Sequence, residues 1–167
     1  MKMNAISSNM APVVPCGCPQ RMSILSSFMR RPESIGIFGA VSNSDGRLVT
    51  ALGKKFDAQA FLSFLVQLLR HRRRHSLMIV IVDNARWHHA KSLQPWLDEH
   101  RDHLRLDFLP PYSPELNPVE RVWKLTRRLC THNHYFPELE DLVDVVTDQF
   151  ESWRKPNDTL HRLCAFN

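Results

Sequence analysis

Nowhere in this chain does an uninterrupted apolar run approach the ~20 residues that a helix needs to cross a bilayer, so no membrane-spanning helix is expected. One lysine, Lys2, stands near the start, but no continuous apolar stretch follows it, so no secretory leader is expected. Cysteine is scarce, with Cys16, Cys18, Cys130 and Cys164 only. The Cys16-Gly-Cys18 pair lacks the wider gap of a zinc knuckle, and no second pair follows at suitable spacing. Reduced thiols in a cytoplasmic protein are therefore expected. There is no internal repeat. Acid is missing from one region in particular: residues 1–34 contain no aspartate, and Glu33 is their only carboxylate.

The 167 residues suffice for one domain, and 43% hydrophobic content is ordinary for a packed core. Formal net charge is +5, with a sequence pI of about 9.3, so a polyanion such as nucleic acid is the favoured class of partner. Residues 1–34 are rich in Ser, Pro, Met and Asn without periodicity. They read as an irregular or poorly ordered segment, in which only residues 22–29 are apolar enough for a strand.

From Ile35 the pattern sharpens. Ile35–Val41 and Arg47–Leu52 flank the turn sequence Asn43-Ser44-Asp45-Gly46 and predict a β-hairpin. Asp57 occupies an N-cap position, and Phe61, Phe64, Leu65, Leu68 and Leu69 predict an amphipathic helix to about residue 70. It runs into Arg70-His71-Arg72-Arg73-Arg74-His75, which suits the negative end of a helix or, alternatively, a DNA backbone. Leu77–Val82 reads as a buried strand, 90–100 as a helix, and Leu104–Leu109 as another strand. The proline-rich loop 110–118 leads into a helix from Pro118 to about Leu129. A last helix, 137–153, sets an apolar stripe against an acidic face of Glu140, Asp141, Asp144, Asp148 and Glu151. DNA repels such a face, so this helix is expected on the far side of the domain. Strands separated by helices imply a mixed α/β sheet with helices on its faces.

Two acids stand where chemistry is possible. Asp83 directly follows the buried strand, at the kind of strand end where ligands gather in open α/β sheets. It reads either as a metal ligand or as the start of an Asx turn with Asn84. Glu120 lies three residues after Asn117 with Pro118 between them, which is also the pattern of a capping box. Beside it Arg121, Lys124 and Arg128 recur at helical spacing, with Arg127 adjacent. A cationic stripe next to a carboxylate suits a phosphodiester-handling site. Trp123 reads as core rather than as a base-stacking platform.

The segment Asp83-Asn84-Ala85-Arg86-Trp87-His88, followed by the stretch Leu109-Pro110-Pro111-Tyr112-Ser113-Pro114-Glu115-Leu116-Asn117-Pro118-Val119-Glu120-Arg121-Val122-Trp123, resembles the DDE endonuclease domain of mariner-like insertion-sequence transposases. The resemblance runs from about Ile35 to the C-terminus, so residues 35–167 are expected to form a partial catalytic domain. It implies a ribonuclease-H-like fold and cut-and-paste DNA transposition with two divalent metals, magnesium or manganese. In that family the second and third catalytic, metal-binding carboxylates match Asp83 and Glu120, while Asn84, His88, Tyr112, Ser113 and Asn117 match positions lining the site. Arg121, Lys124, Arg127 and Arg128 are the expected DNA contacts, and the element ends and target DNA the expected partners. The family's first Asp, on the first and central strand of the sheet, has no counterpart in residues 1–34. The first strand is therefore expected to be missing or replaced, and the chain alone to be inactive.

Two functions follow. One is a transposase catalytic fragment, truncated at its N-terminus and completed by the upstream half of a split transposase or working as a homodimer. The other is a non-catalytic DNA-binding or interaction module that keeps the fold.

Overall fold

The computed structural model describes residues 2–9, 36–53, 55–111 and 113–165. Five strands form one sheet: β1 (Lys2–Asn9), β2 (Gly36–Ser42), β3 (Leu48–Gly53), β4 (Met78–Val82) and β5 (Leu104–Phe108). Their order is β3-β2-β1-β4-β5, with β1 antiparallel to β2 and parallel to β4. The central place is thus filled by Lys2–Asn9, inside the segment expected to be irregular. Its polar, small-residue composition carries no strand periodicity, and the place is set by backbone pairing to β2 and β4 on both sides. The alternative strand at 22–29 lies outside the described residues.

Helices cover both faces. On one face α1 (Ala58–Leu69) and the short α2 (Gln94–Glu99) pack. Asp57 caps α1 by accepting from the Ala60 N–H at 2.8 Å, which satisfies a donor that the helix cannot. Phe61, Phe64, Leu65 and Leu68 meet Phe38, Ala40, Met78, Val80 and Val82 of the sheet in one buried cluster. Truncating Leu65 or Leu68 there to Ala would cost about 2–5 kcal/mol. The helix expected over 90–100 is regular only from Gln94, because Arg86–His89 and Lys91–Leu93 form separate 3-10 turns.

On the other face lie α3 (Pro118–Thr126), α4 (Leu139–Ser152) and α5 (Asp158–Cys164). They bury Val119, Val122, Trp123, Val146, Phe150, Trp153 and Leu160 against Ile37, Val41 and Leu48. α3 ends in a single π-type turn at Arg127–Thr131. The acidic helix α4 was expected across the domain from the basic one but shares its layer. Its apolar stripe is needed beside Trp123, with the Phe150 and Trp123 rings edge to face at 5.8 Å, while its carboxylates face outward. α5 had no sequence signal strong enough to predict it, although Asn157 caps it through the Leu160 N–H at 3.0 Å. The α4–α5 connection is tied to the hairpin turn through Leu48 N–H to Trp153 O and Asn157 N–H to Asp45 O. Gly46, at φ +68°, sits so close under Asn157 and His161 that no side chain fits.

Candidate functional site

The ladder places Ala5 of β1 opposite Val82 of β4, and Ile6 opposite Gly39 of β2. Ile6 is therefore the β1 register position level with Asp83, the residue after β4. Val82 faces α1, and strand alternation assigns Asp83 to the α3 side of the sheet's carboxyl end. One carboxylate oxygen, Oδ1, lies 2.9 Å from His88 Nδ1 and accepts the Ala85 N–H at 3.1 Å. Oδ2 has no hydrogen bond among the described residues. Partial burial opposes ionisation of Asp83 most strongly. The His88 hydrogen bond, the Ala85 N–H and the His88 charge together outweigh it and hold the carboxyl below its ordinary value. The Ala85 bond is the Asx turn anticipated as the alternative reading, so Asp83 combines a turn-forming oxygen with one that has no hydrogen bond among the described residues.

His88 is buried, its ring 4.2 Å from that of Phe61, and it also reaches the Asp83 carbonyl at 3.0 Å. It orients Asp83 and does not stand open to solvent. Asn84 donates to the Leu109 carbonyl at 2.6 Å, joining the end of β4 to the start of the proline loop. Its Oδ1 lies 3.3 Å from His89 Nε2, and His89 stacks on Phe108 at 4.3 Å. His89 was not singled out in the sequence; its only signal was its place beside His88 in the loop after β4. Ser113 bonds back to the Pro111 carbonyl at 3.3 Å, and Tyr112 lies outside the described residues.

Glu120 is presented by the first turn of α3. Asn117, 1% exposed, caps that helix by accepting from the Val119 N–H, and Pro118 takes the position needing no donor. The reciprocal half of a capping box is not formed: among the described residues the Glu120 carboxylate has no hydrogen bond or ion pair. The helix is held against the sheet by Trp123, whose ring lies directly over Gly39. Glu120 is one helical turn from Trp123 on the same face, about 4.5 Å along the axis. Gly39, Ile6 and Asp83 form one row across three strands, spanning roughly 10 Å. Asp83 ends this row, and Glu120 stands on the helix whose Trp123 packs over Gly39 at the row's other end.

Two carboxylates of this kind suit a hard divalent cation in ligand type, since magnesium and manganese prefer oxygen. They fall short in number: among the described residues no group of three or more His, Cys, Asp or Glu is arranged to hold a metal ion.

The expected cationic stripe is divided. Arg121 donates to the carbonyls of Leu163 at 3.0 Å and Ala165 at 3.3 Å, satisfying the open C-terminus of α5. Its guanidinium is engaged in packing two helices, a partner that could not be foreseen while α5 was unrecognised. Lys124, Arg127 and Arg128 are exposed and form no ion pair among the described residues. No helix among the described residues is long and apolar enough to cross a membrane.

Residues 22–143 match the family model described as DDE superfamily endonuclease. The chain is 34% identical over 119 residues to the uncharacterized protein y4pE/y4sA of Sinorhizobium fredii, covering 71% of this chain and 82% of that one. It is 30% identical over 120 residues to the insertion element IS630 uncharacterized 39 kDa protein of Shigella sonnei, of which it spans 35%. Among solved structures it superposes on the catalytic domain of Mos1 mariner transposase with a TM-score of 0.63 at 17% identity, covering 96% of this chain and 74% of that one. A pre-cleavage Mos1 transpososome gives 0.67 at 16% identity, covering 98% and 51%. Other Mos1 paired-end complexes of the same fold were solved with Mn and with Mg. The fold is that of the ribonuclease-H-like transposase and integrase catalytic domains, and the chain belongs to the DDE superfamily of endonucleases.

Proposed function

We propose that this chain is a catalytic-domain fragment of a DNA transposase that keeps two of three metal-binding carboxylates and does not cleave DNA by itself. The observation that carries this reading is the row Gly39–Ile6–Asp83, with Glu120 a turn away from the Trp123 that packs on it. Asp83 and Glu120 would hold a divalent cation, magnesium or manganese. When bound, such ions polarise the phosphodiester and its attacking oxygen. His88 and the Ala85 N–H fix the orientation of Asp83 and keep it ionised, leaving Oδ2 for the ligand. Lys124, Arg127 and Arg128 hold the DNA backbone by charge, without reading sequence. With aliphatic Ile6 at the register position beside Asp83, no third carboxylate joins the pair among the described residues, so metal affinity is weak and strand cleavage requires a further carboxylate. The DNA substrate consists of element ends and target, and the completing partner is a second polypeptide or a second copy.

A second reading, a non-catalytic DNA-binding module, is favoured by the same aliphatic residue at Ile6. Supercoiled DNA incubated with the chain and Mg²⁺ or Mn²⁺ distinguishes activity from its absence. Nicking no greater than background is expected, and robust nicking abolished by Asp83→Ala would refute the assignment of an incomplete site. Thermal melting with Mn²⁺ separates the two readings. For a catalytic fragment, Mn²⁺ raises the Tm slightly, Ile6→Asp enlarges the rise by mass action, and Asp83→Ala removes it. A module that has abandoned metal binding shows no Mn²⁺ response in any of the three chains.

A further inference from the structure

The end of the sheet opposite Asp83 is more strongly basic than the α3 surface. The loop from α1 to β4 carries Arg70, Arg72, Arg73 and Arg74, with Arg70, Arg73 and Arg74 exposed. Arg72 is turned inward, donating to the Ser76 carbonyl at 2.8 Å and so bracing the loop. Hydrogen bonds bring other loops to this end. Met78 N–H donates to His103 O beside Arg101, and Leu48 N–H donates to Trp153 O beside Arg154 and Lys155. Their acids are Asp45, Glu99, Asp102 and Glu151, of which Asp45 and Glu151 are bound to Arg47 and Arg154. Arg70, Arg73, Arg74, Arg101 and Lys155 have no ion pair among the described residues.

We propose that this end of the sheet is a second contact surface for the phosphate backbone of duplex DNA, built on Arg70, Arg73 and Arg74 and separate from the Asp83 edge. β4 alone, five residues long, separates the two ends by roughly 16 Å. The screening length at physiological salt is about 8 Å, so these charges cannot act on DNA held at the Asp83 edge. They must touch a different duplex, or a different part of a long or bent one. Arginine's planar fork grips phosphate oxygens in pairs, and three unpaired forks on one braced loop match a backbone in kind. Convergence of positive charge is supported independently at His71, which lies at the same end: burial and then Arg47 and Arg154 hold its pKa below the ordinary value. The choice of DNA among polyanions rests on the function proposed above; the location and separateness of the surface do not.

The test uses four full-length chains: wild type, Arg70→Gln/Arg73→Gln/Arg74→Gln, Lys124→Gln/Arg127→Gln/Arg128→Gln, and the combination. Binding of a short random-sequence duplex is followed by fluorescence anisotropy across a salt series, with circular dichroism to confirm folding; Arg72 is left in place because it braces the loop. In the background lacking the α3 charges, removing the three loop arginines is expected to lower the salt slope by about 2.7, three phosphates at roughly 0.9 each. Saturation of the wild type is expected at two duplexes per chain, falling to one in the loop variant. An unchanged slope and stoichiometry in the loop variant, with loss only in the α3 variant, overturns the second surface and leaves the proposed function standing. No duplex binding by any chain overturns both. Binding of the loop to anionic vesicles with no contribution to duplex binding overturns the assignment to DNA.

Discussion

Replacing Gly39 by Ala probes the contact that seats α3 on the sheet. A Cβ at this position would lie 2.5 Å from Trp123 Cη2 and 2.6 Å from Cζ2, about 1 Å inside the usual carbon–carbon separation. The φ of Gly39 is not in the left-handed region, so alanine meets no backbone strain and the penalty is steric. Trp123 cannot swing aside freely, since it is 1% exposed and has Phe150 against it. Overpacking of this kind costs about 1–3 kcal/mol. Loss of chain freedom in the unfolded state returns at most about 1 kcal/mol, so at the upper end of that range a net loss of about 2 kcal/mol remains. Urea unfolding followed by far-ultraviolet circular dichroism should show a lower midpoint with unchanged slope, and the Tm should drop by roughly 2–4 °C per kcal/mol. Trp123→Phe removes the two offending carbons. In the double variant the losses should therefore be less than additive by more than about 1 kcal/mol. Wild-type stability in Gly39→Ala, or strict additivity with Trp123→Phe, would show that the helix is not held by this contact and that Glu120 is positioned some other way.

Other outcomes follow from individual side chains. Asp83 has its folded pKa below the ordinary 3.8, so its contribution to stability is present above that pH and is lost as the pH falls through the folded value; Asp83→Asn should flatten this acid limb in a melting series. Burial pushes the Cys164 thiol up to about 11, against a small opposing effect of Arg121. The stability tied to the neutral thiol is intact below its ordinary value of 9.0 and is lost between there and about 11, and Cys164→Ala should remove that part of the alkaline decline. Arg121→Ala should lower stability by about 1 kcal/mol by freeing the α5 carbonyls, while leaving the salt slope of DNA binding unchanged. Lys124→Gln should do the reverse, with the slope falling by about 0.9 and stability held.

Local pattern was enough wherever one residue type at one spacing answered one physical need. The hairpin, α1 with its Asp57 cap, the apolar run of β4 and the Asn117-Pro118 start of α3 could be read because caps, turns and buried strands depend on their own few residues. The places of Asp83, just after β4, and of Glu120, in the first turn of α3, were legible for the same reason. Tertiary structure decided what depends on partners distant in the chain. Lys2–Asn9 pairs as the central strand because β2 and β4 offer unpaired backbone on both sides, although its own side chains show no alternation. Arg121, expected as a DNA contact, also donates to the Leu163 and Ala165 carbonyls because α5 packs beside it. α4 joined the α3 layer because its apolar stripe completes the cluster around Trp123. Backbone pairing and burial are satisfied across the chain, not along it, so only the folded molecule shows that an isoleucine occupies the register position beside Asp83.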